Sequence, residues 1–180
     1  EVTWTPDDSD EERKEYTDDR SWCFWDRNDT KYKNIVEKSW NSFSFNFNAK
    51  SNYLKSKKYK YHYIRSINFY ENIMKKILTF PNIKLNLDEN VIQIKKRKDY
   101  FLVKTDKSNY KANKILDTRP NLKAFKKYPF MYQTFLGYEI YLKNNINLKI
   151  DNAYLMDKMS TKNNNYCFNY ILPLNKNNIL

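Results

Sequence analysis

Phe-Met-Tyr-Gln-Thr-Phe-Leu-Gly-Tyr-Glu-Ile-Tyr-Leu, residues 130–142, is the longest run in this 180-residue chain that reads as one β-strand, and it holds the single glycine, Gly137. Phe130, Tyr132, Thr134, Leu136, Tyr138, Ile140 and Leu142 alternate with Met131, Gln133, Phe135, Gly137, Glu139 and Tyr141, which is the two-residue period of a strand. Both faces are rich in aromatics, so the expectation is a strand between two packed layers. Gln133 and Glu139 share a face with the glycine. That combination suggests a wall where something large and apolar lies close to the backbone. The plainer alternative is a central strand with a glycine bulge.

The totals bound the rest. Thirty-three Lys and Arg against 21 Asp and Glu give a net charge of +12. The charge is uneven: residues 1–20 carry nine acids and three bases, so the remainder stands at +18. A basic body suits nucleic acid or an anionic membrane surface. Its lysines, however, are scattered and do not share a periodic face with the aromatics, which argues against a nucleic-acid interface. The abundance of Lys, Asn, Ile and Tyr beside scarce Gly and Ala is what AT-rich coding writes into any protein. Cys23, Cys167 and His62 show no metal-ligand spacing, so zinc is not expected. No apolar run approaches the roughly 18 residues of a membrane span. The missing initial Met and the apolar Ile179-Leu180 end read as two cut ends.

Along the chain, Glu1–Asp19 is polar and acidic. Arg20–Trp25 then packs Trp22, Phe24 and Trp25 around Cys23, a density of rings that calls for burial or a stacked ligand. Val36–Phe47 reads as a strand pair or one bent strand, 49–60 as a lysine-rich loop, and Tyr59–Ile64 as a tyrosine-rich strand. Ser66 is the expected N-cap of a helix carrying Ile67, Tyr70, Ile73, Met74, Ile77 and Leu78, which Pro81 ends. A meander of four strands follows at 82–87, 90–96, 99–104 and 109–112. Lys114–Asp117 reads as a buried strand broken by Pro120. Two more strands, 153–161 and 166–172, flank an Asn turn, and Ile179-Leu180 opens another.

A helix, a meander and then a strand ending in an acid make up half of a flavin-domain pattern, and with one glycine no dinucleotide or P-loop turn exists in this chain. At this point the sequence resembles the flavin-dependent lycopene β-cyclases of bacterial type. Arg20–Trp25 is similar to their Arg-Thr-Trp-(Cys/Ser)-Phe-(Trp/His) segment, and Tyr63–Tyr70 to the segment opening their next helix. Ala112–Pro120 is similar to A-x-x-V-I-D-G/T-R, and Tyr132–Glu139 to Q-x-F-x-G-W/Q-E. Leu155-Met156-Asp157 resembles their Met-Asp motif, and Tyr166–Leu174 their Y-x-F-x-Y-x-L-P-L/F segment. Each motif is weak alone; their order and spacing carry the resemblance from Arg20 to Leu180.

The resemblance implies an α+β fold, a partial α/β FAD/NAD(P)-binding flavoprotein with a β-meander, an antiparallel substrate-domain sheet and few helices. It divides the chain into an acidic, unmatched segment 1–19, the remainder of the cofactor domain with its meander at 20–128, and the start of the substrate sheet at 129–180. It implies acid-initiated cyclisation of the ψ-ends of lycopene to β-ionone rings, without net redox change, with reduced FAD and NADPH as cofactors. It implies lycopene as partner, peripheral attachment to a bacterial membrane from the cytoplasm, and no nucleic acid. By the same register the family's essential glutamate follows two residues after Leu180, so the chain taken alone is expected to be inactive. Within the chain Asp157 is the catalytic candidate, orienting the acid or a water. Arg20, Asp117 and Arg119 are candidates for the cofactor. Trp22, Phe24, Gln133, Phe135, Gly137 and Tyr138 are candidates for the substrate wall. Thr118 stands where many relatives carry Gly. A hydrocarbon offers no hydrogen-bond handle, so its site must be apolar, and a cationic transition state favours aromatic faces and a nearby anion. Two alternatives stand beside this reading: another flavin-dependent hydroxylase or reductase of the same architecture, and a basic nucleic-acid-binding module.

Overall fold

A computed structural model describes residues 14–47, 50–119, 131, 133–144, 147–162 and 165–180. In chain order the elements are β1 (Ser21–Arg27), β2 (Lys38–Trp40), β3 (Ser42–Phe47), β4 (Lys50–Lys55), β5 (Tyr59–Arg65), α1 (Ser66–Ile77), β6 (Val91–Lys96), β7 (Phe101–Thr105), β8 (Asn109–Ala112), β9 (Ile140–Tyr141), β10 (Asn152–Lys162), β11 (Asn165–Ile171) and β12 (Asn178–Ile179). The described residues are thus mostly β-sheet with one helix. They form two compact units, one of residues 17–76 with 137–180, the other from 1–16 with 77–136.

In the larger unit β1-β5-β2 make one sheet, β11-β10-β3-β4 a second, and β12-β9 a two-stranded ladder. The expected antiparallel substrate sheet is in fact mixed, because β3 and β10 run parallel. Hairpin turns enforce antiparallel pairing only between strands that are neighbours in sequence, and the stretch from β3 to β10 is long enough to cross over. The core is Trp40, Phe43, Tyr63, Ala153, Leu155, Leu172 and Leu174. Phe43 alternates with Ser42 and Ser44 on β3, so one face of that strand is apolar and the other polar. Burying a ring of this size is worth about 1.5–3 kcal/mol. Trp40 is fully buried, and its indole Nε1 donates to the Pro173 carbonyl at 3.1 Å, which anchors the Leu172-Pro173-Leu174 stretch in the core.

The helix forms where its 3.6-residue spacing predicts, but its cap differs. The Ser66 hydroxyl is buried and accepts from Arg20 N at 3.0 Å while donating to the Thr17 carbonyl at 3.2 Å. With that oxygen engaged by the passing chain, the Asp18 carboxylate takes the cap and accepts from Ile67 N at 3.5 Å. A carboxylate at a helix N-terminus also satisfies the dipole.

In the smaller unit β6, β7 and β8 form the meander, with three strands instead of four. Residues 82–87 stay outside it; Ile83 and Leu85 are exposed and have no ladder partner among the described residues. The meander base is locked by polar contacts. Buried Glu89 accepts from Thr105 Oγ1 at 2.6 Å and from Tyr110 Oη at 2.7 Å, and Asp88, in the left-handed region at φ 56°, pairs with Lys107 at 2.6 Å.

Three further expectations are corrected. The stretch 114–117 is not a strand, and Leu116 is 91% exposed. Residues 50–55, read as loop for their lysines, form edge strand β4. Every residue of β4 is exposed, so lysine carries no desolvation cost there. The stretch 130–142 is a strand only at β9. Residues 130 and 132 lie outside the described residues, and 133–139 have no ladder partner among those described. A period-two pattern creates two faces, but only a partner's hydrogen bonds make a strand.

Candidate functional site

The polar face of β3 continues onto β10. Asn152 lies opposite Ser42, and Tyr154 opposite Ser44, in parallel register. Asn152 Nδ2 donates to Ser44 Oγ at 2.8 Å, and Tyr53 Oη donates to Ser42 Oγ at 3.0 Å. Ser42, Ser44, Asn152 and Asp157 are all buried. At the end of this row the Asn46 amide donates to Asp157 Oδ1.

Asp157 reaches that face through irregular backbone. From Ala153 and Leu155, simple alternation would send it into the apolar core. The ladder to β11 instead pairs Tyr154 with Ile171 and Asp157 with Asn169, then Ser160 with Cys167. Each step sets three residues of β10 against two of β11. One extra residue flips the side-chain alternation, so Asp157 shares the face of Tyr154; re-aiming a side chain is a recognised use of β-bulges. Met156 and Lys158, the two neighbours of Asp157, both sit at φ 50°. For side chains such as these the left-handed region costs about 1–3 kcal/mol each. The Oδ1 atoms of Asn46 and Asn152 are buried and have no hydrogen-bond partner among the described residues.

The aromatic candidates Trp22 and Phe24 lie on one face of β1. Trp22 meets Phe69 edge-on at 4.8 Å and Tyr70 at 5.3 Å between centroids; Phe24 meets Tyr32 at 5.8 Å and the His62 ring at 5.4 Å. Trp22 thus packs the sheet onto α1, while Phe24 packs against the loop at Tyr32 and against β5. Trp25, on the other face, meets Phe43 edge-on at 4.4 Å between centroids. His62 is buried and fully engaged: Nε2 donates to the Arg27 carbonyl at 3.3 Å, so Nδ1 is left to accept from Ser39 at 2.8 Å. A hollow beside α1 is lined by Asn34, Ile35, Val36, Glu37, Asn68, Glu71, Asn72 and Lys75. Its amides and charges suit water better than a hydrocarbon.

Arg65 organises the charges of the larger unit. It holds Asp18 through Nε at 2.6 Å and through Nη2, and faces Glu139 at 3.7 Å. Glu139 also accepts from Asn178 at 2.6 Å and Tyr141 at 2.7 Å, and these contacts hold its carboxyl below the usual range. Desolvation pushes the nearby Glu37 upward. Glu139 is therefore a satisfied acid beside β9. Gln133 and Phe135 belong to the smaller unit, Gly137 and Tyr138 to the larger, and all four are exposed. A Cβ built at Gly137 would meet nothing within 4 Å, and its φ is not positive, so neither packing nor backbone requires a glycine there.

The cofactor candidates fall in different units. Arg20 lies 3.5 Å from Asp19 in the larger unit. Asp117 and Arg119 belong to the smaller unit. They clasp each other through two bonds of 2.9 Å, and Arg119 Nη1 donates to the Val91 carbonyl at 2.8 Å. A dinucleotide needs a glycine-rich turn leading to open helix amides. The single helix N-terminus described is closed by the Asp18 carboxylate, and no glycine-rich turn exists here. Among the described residues, then, no glycine-rich cradle for a dinucleotide is formed.

Asn46, Asn152 and Ser44 were not legible as site residues. Ser44 and Asn46 showed only as part of the Ser/Asn alternation within the aromatic strand 42–47, and nothing in the sequence singled out Asn152. A family model described as lycopene cyclase protein matches residues 10–180, taking in part of the acidic segment ahead of Arg20. No curated protein and no solved structure matches the chain.

Proposed function

Because the chain belongs to the lycopene cyclase family, we propose that it serves the cyclisation of the ψ-ends of lycopene to β-ionone rings. The match over residues 10–180 is the observation that carries this reading. In the reaction a proton adds to the terminal double bond, the cation closes on a neighbouring double bond, and a ring proton leaves, so product and substrate are isomers. A cation developing in a low-dielectric site is stabilised by a fixed carboxylate and by aromatic faces. Asp157 is the carboxylate we assign to this centre, since it lies in the Met-Asp motif, is 6% exposed and is held by Asn46. From the resemblance alone, Trp22, Phe24, Gly137 and Tyr138 in the larger unit and Gln133 and Phe135 in the smaller stay candidates for contact with the substrate.

Reduced FAD with NADPH stays part of the proposal as the cofactor pair. Arg20, in the larger unit, and Asp117 and Arg119, in the smaller, are its candidates from the resemblance alone, and no step is assigned to it. No described helix is long and apolar enough to cross a membrane. Lycopene partitions into bilayers, so the proposal places the protein peripherally, at the cytoplasmic side of a bacterial membrane.

The test is expression of the complete reading frame in a lycopene-accumulating bacterial host, with pigments separated by chromatography. Cyclic carotene is expected, and Asp157→Asn should cut its formation by about 10²-fold or more. Untouched lycopene beside folded, flavin-loaded protein would overturn the cyclase reading. Full activity in Asp157→Asn would remove Asp157 from the centre while leaving the family reaction intact.

A further inference from the structure

We propose that Asn46 is a positioning residue that sets the carboxylate of Asp157, and that the paired bulges of β10 serve to bring the two side chains together. The inference rests on the assignment of Asp157 to the reacting centre.

Three independent features converge on this contact. The first is register. Without the extra residue between Tyr154 and Asp157, the carboxylate would share the face of Ala153 and Leu155, which are 0% and 4% exposed. With it, Asp157 comes beside Asn46, two positions beyond Ser44 on β3. The second is strain. Met156 and Lys158 both occupy the left-handed region at φ 50°, although neither is glycine, asparagine or aspartate. Such backbone persists only where surroundings hold it, and it concentrates at working sites. The third is an incomplete amide. Asn46 spends its N–H on Asp157 while its own Oδ1 is buried with no partner among the described residues. A carboxylate can only accept from the NH2 end, so the amide cannot be turned to relieve that oxygen. A structural contact would be better served by an apolar pair on a regular strand. Two strained residues and one unsatisfied acceptor around a single carboxylate mark a geometry kept for orientation.

An amide fixed to one carboxylate oxygen defines the plane of the group and therefore the direction of its other oxygen. A misplacement of about 1 Å at a reacting group can cost about 10²-fold in rate. Asn46 thus acts on kcat through Asp157 and has no contact of its own to make with a hydrocarbon.

The experiment is a double-mutant cycle in the enzyme from the complete reading frame, using Asn46→Leu, Asp157→Asn and the pair, with kcat and KM measured on lycopene in detergent micelles. Asn46→Leu should lower kcat about 10–100-fold with KM within about twofold, and should change nothing further in the Asp157→Asn background. If Asn46→Leu does not fold, Asn46→Ser, which keeps a short donor, is read in the same cycle and should lose less. Wild-type kcat in the folded Asn46 variant overturns the proposal. So does an equal loss in both backgrounds, because that is the signature of a structural defect. Wild-type activity in Asp157→Asn alone would instead overturn the assignment on which the inference rests.

Discussion

Replacing Lys158 by glycine should make the protein more stable. Lys158 is exposed and sits at φ 50°. An L-residue in the left-handed region costs roughly 1–2 kcal/mol from the approach of Cβ to the following carbonyl. Glycine has no Cβ, so Lys158→Gly removes that cost. It adds back about 0.5–1 kcal/mol through the greater freedom of the unfolded chain. The lost lysine side chain lies on the surface and contributes within about 0.5 kcal/mol. The net gain is therefore about 0.5–1 kcal/mol. For a chain of this size 1 kcal/mol corresponds to roughly 2–4 °C, so Tm should rise by about 1–4 °C. Lys158→Val, which puts a β-branched side chain into the same backbone, should lose about 1 kcal/mol or more. Urea unfolding followed by circular dichroism measures both. The reasoning is refuted if the two variants are equally stable, or if valine is the better of the two, since either outcome means that residue 158 adopts ordinary strand backbone.

Two further outcomes follow from named contacts. Burial alone would raise the Asp18 carboxyl, but the hydrogen bonds from Arg65 and the Ile67 amide outweigh it and hold it below the ordinary 3.8. A lowered carboxylate adds stability above its unfolded value and loses it as pH falls through the folded one. Asp18→Asn keeps an oxygen for the cap but loses the charge that Arg65 holds, so it should cost about 1 kcal/mol at neutral pH, and its unfolding curve should merge with that of the wild type as acid is titrated below 3.8. A constant gap down to the lowest pH would show that the charge of Asp18 is not what stabilises the fold. Burial pushes the Cys23 thiol up to about 11, while Cys167 is exposed. At neutral pH a maleimide should label one thiol of the native protein and two in urea, and Cys167→Ser should abolish the native label; rapid labelling of Cys23 in the native protein would contradict its placement.

Much of the architecture was legible in residue order. Ile67, Tyr70, Ile73 and Met74 space a helix, and α1 is there. The aromatic alternation of 42–47, 59–64 and 166–172 marks β3, β5 and β11. The errors have one physical origin. Strand patterns at 82–87, 114–117 and 133–139 have the right period but find no ladder partner among the described residues, whereas β4, with an unpromising lysine-rich pattern, has one in β3. Strand existence is a pairwise property, and a single segment does not report its neighbour. The site was legible only as a motif, Met156-Asp157. Asn46 and Asn152 carry no signal of their own, because a serine- and asparagine-bearing strand face is normally a solvated one.

The residues alone determined membership of the lycopene cyclase family, the predominance of β-structure, the helix and the candidacy of Asp157. Those properties depend on local periodicity and on motif order, both one-dimensional. Only the tertiary structure decided which face of β10 carries Asp157, that Asp18 and not Ser66 caps α1, and that 130–142, the longest strand-like run, forms a ladder over two residues alone. Each of those depends on register or on a partner far away in sequence. Alternation counted along β10 points Asp157 into the core, and one extra residue in the ladder turns it to Asn46.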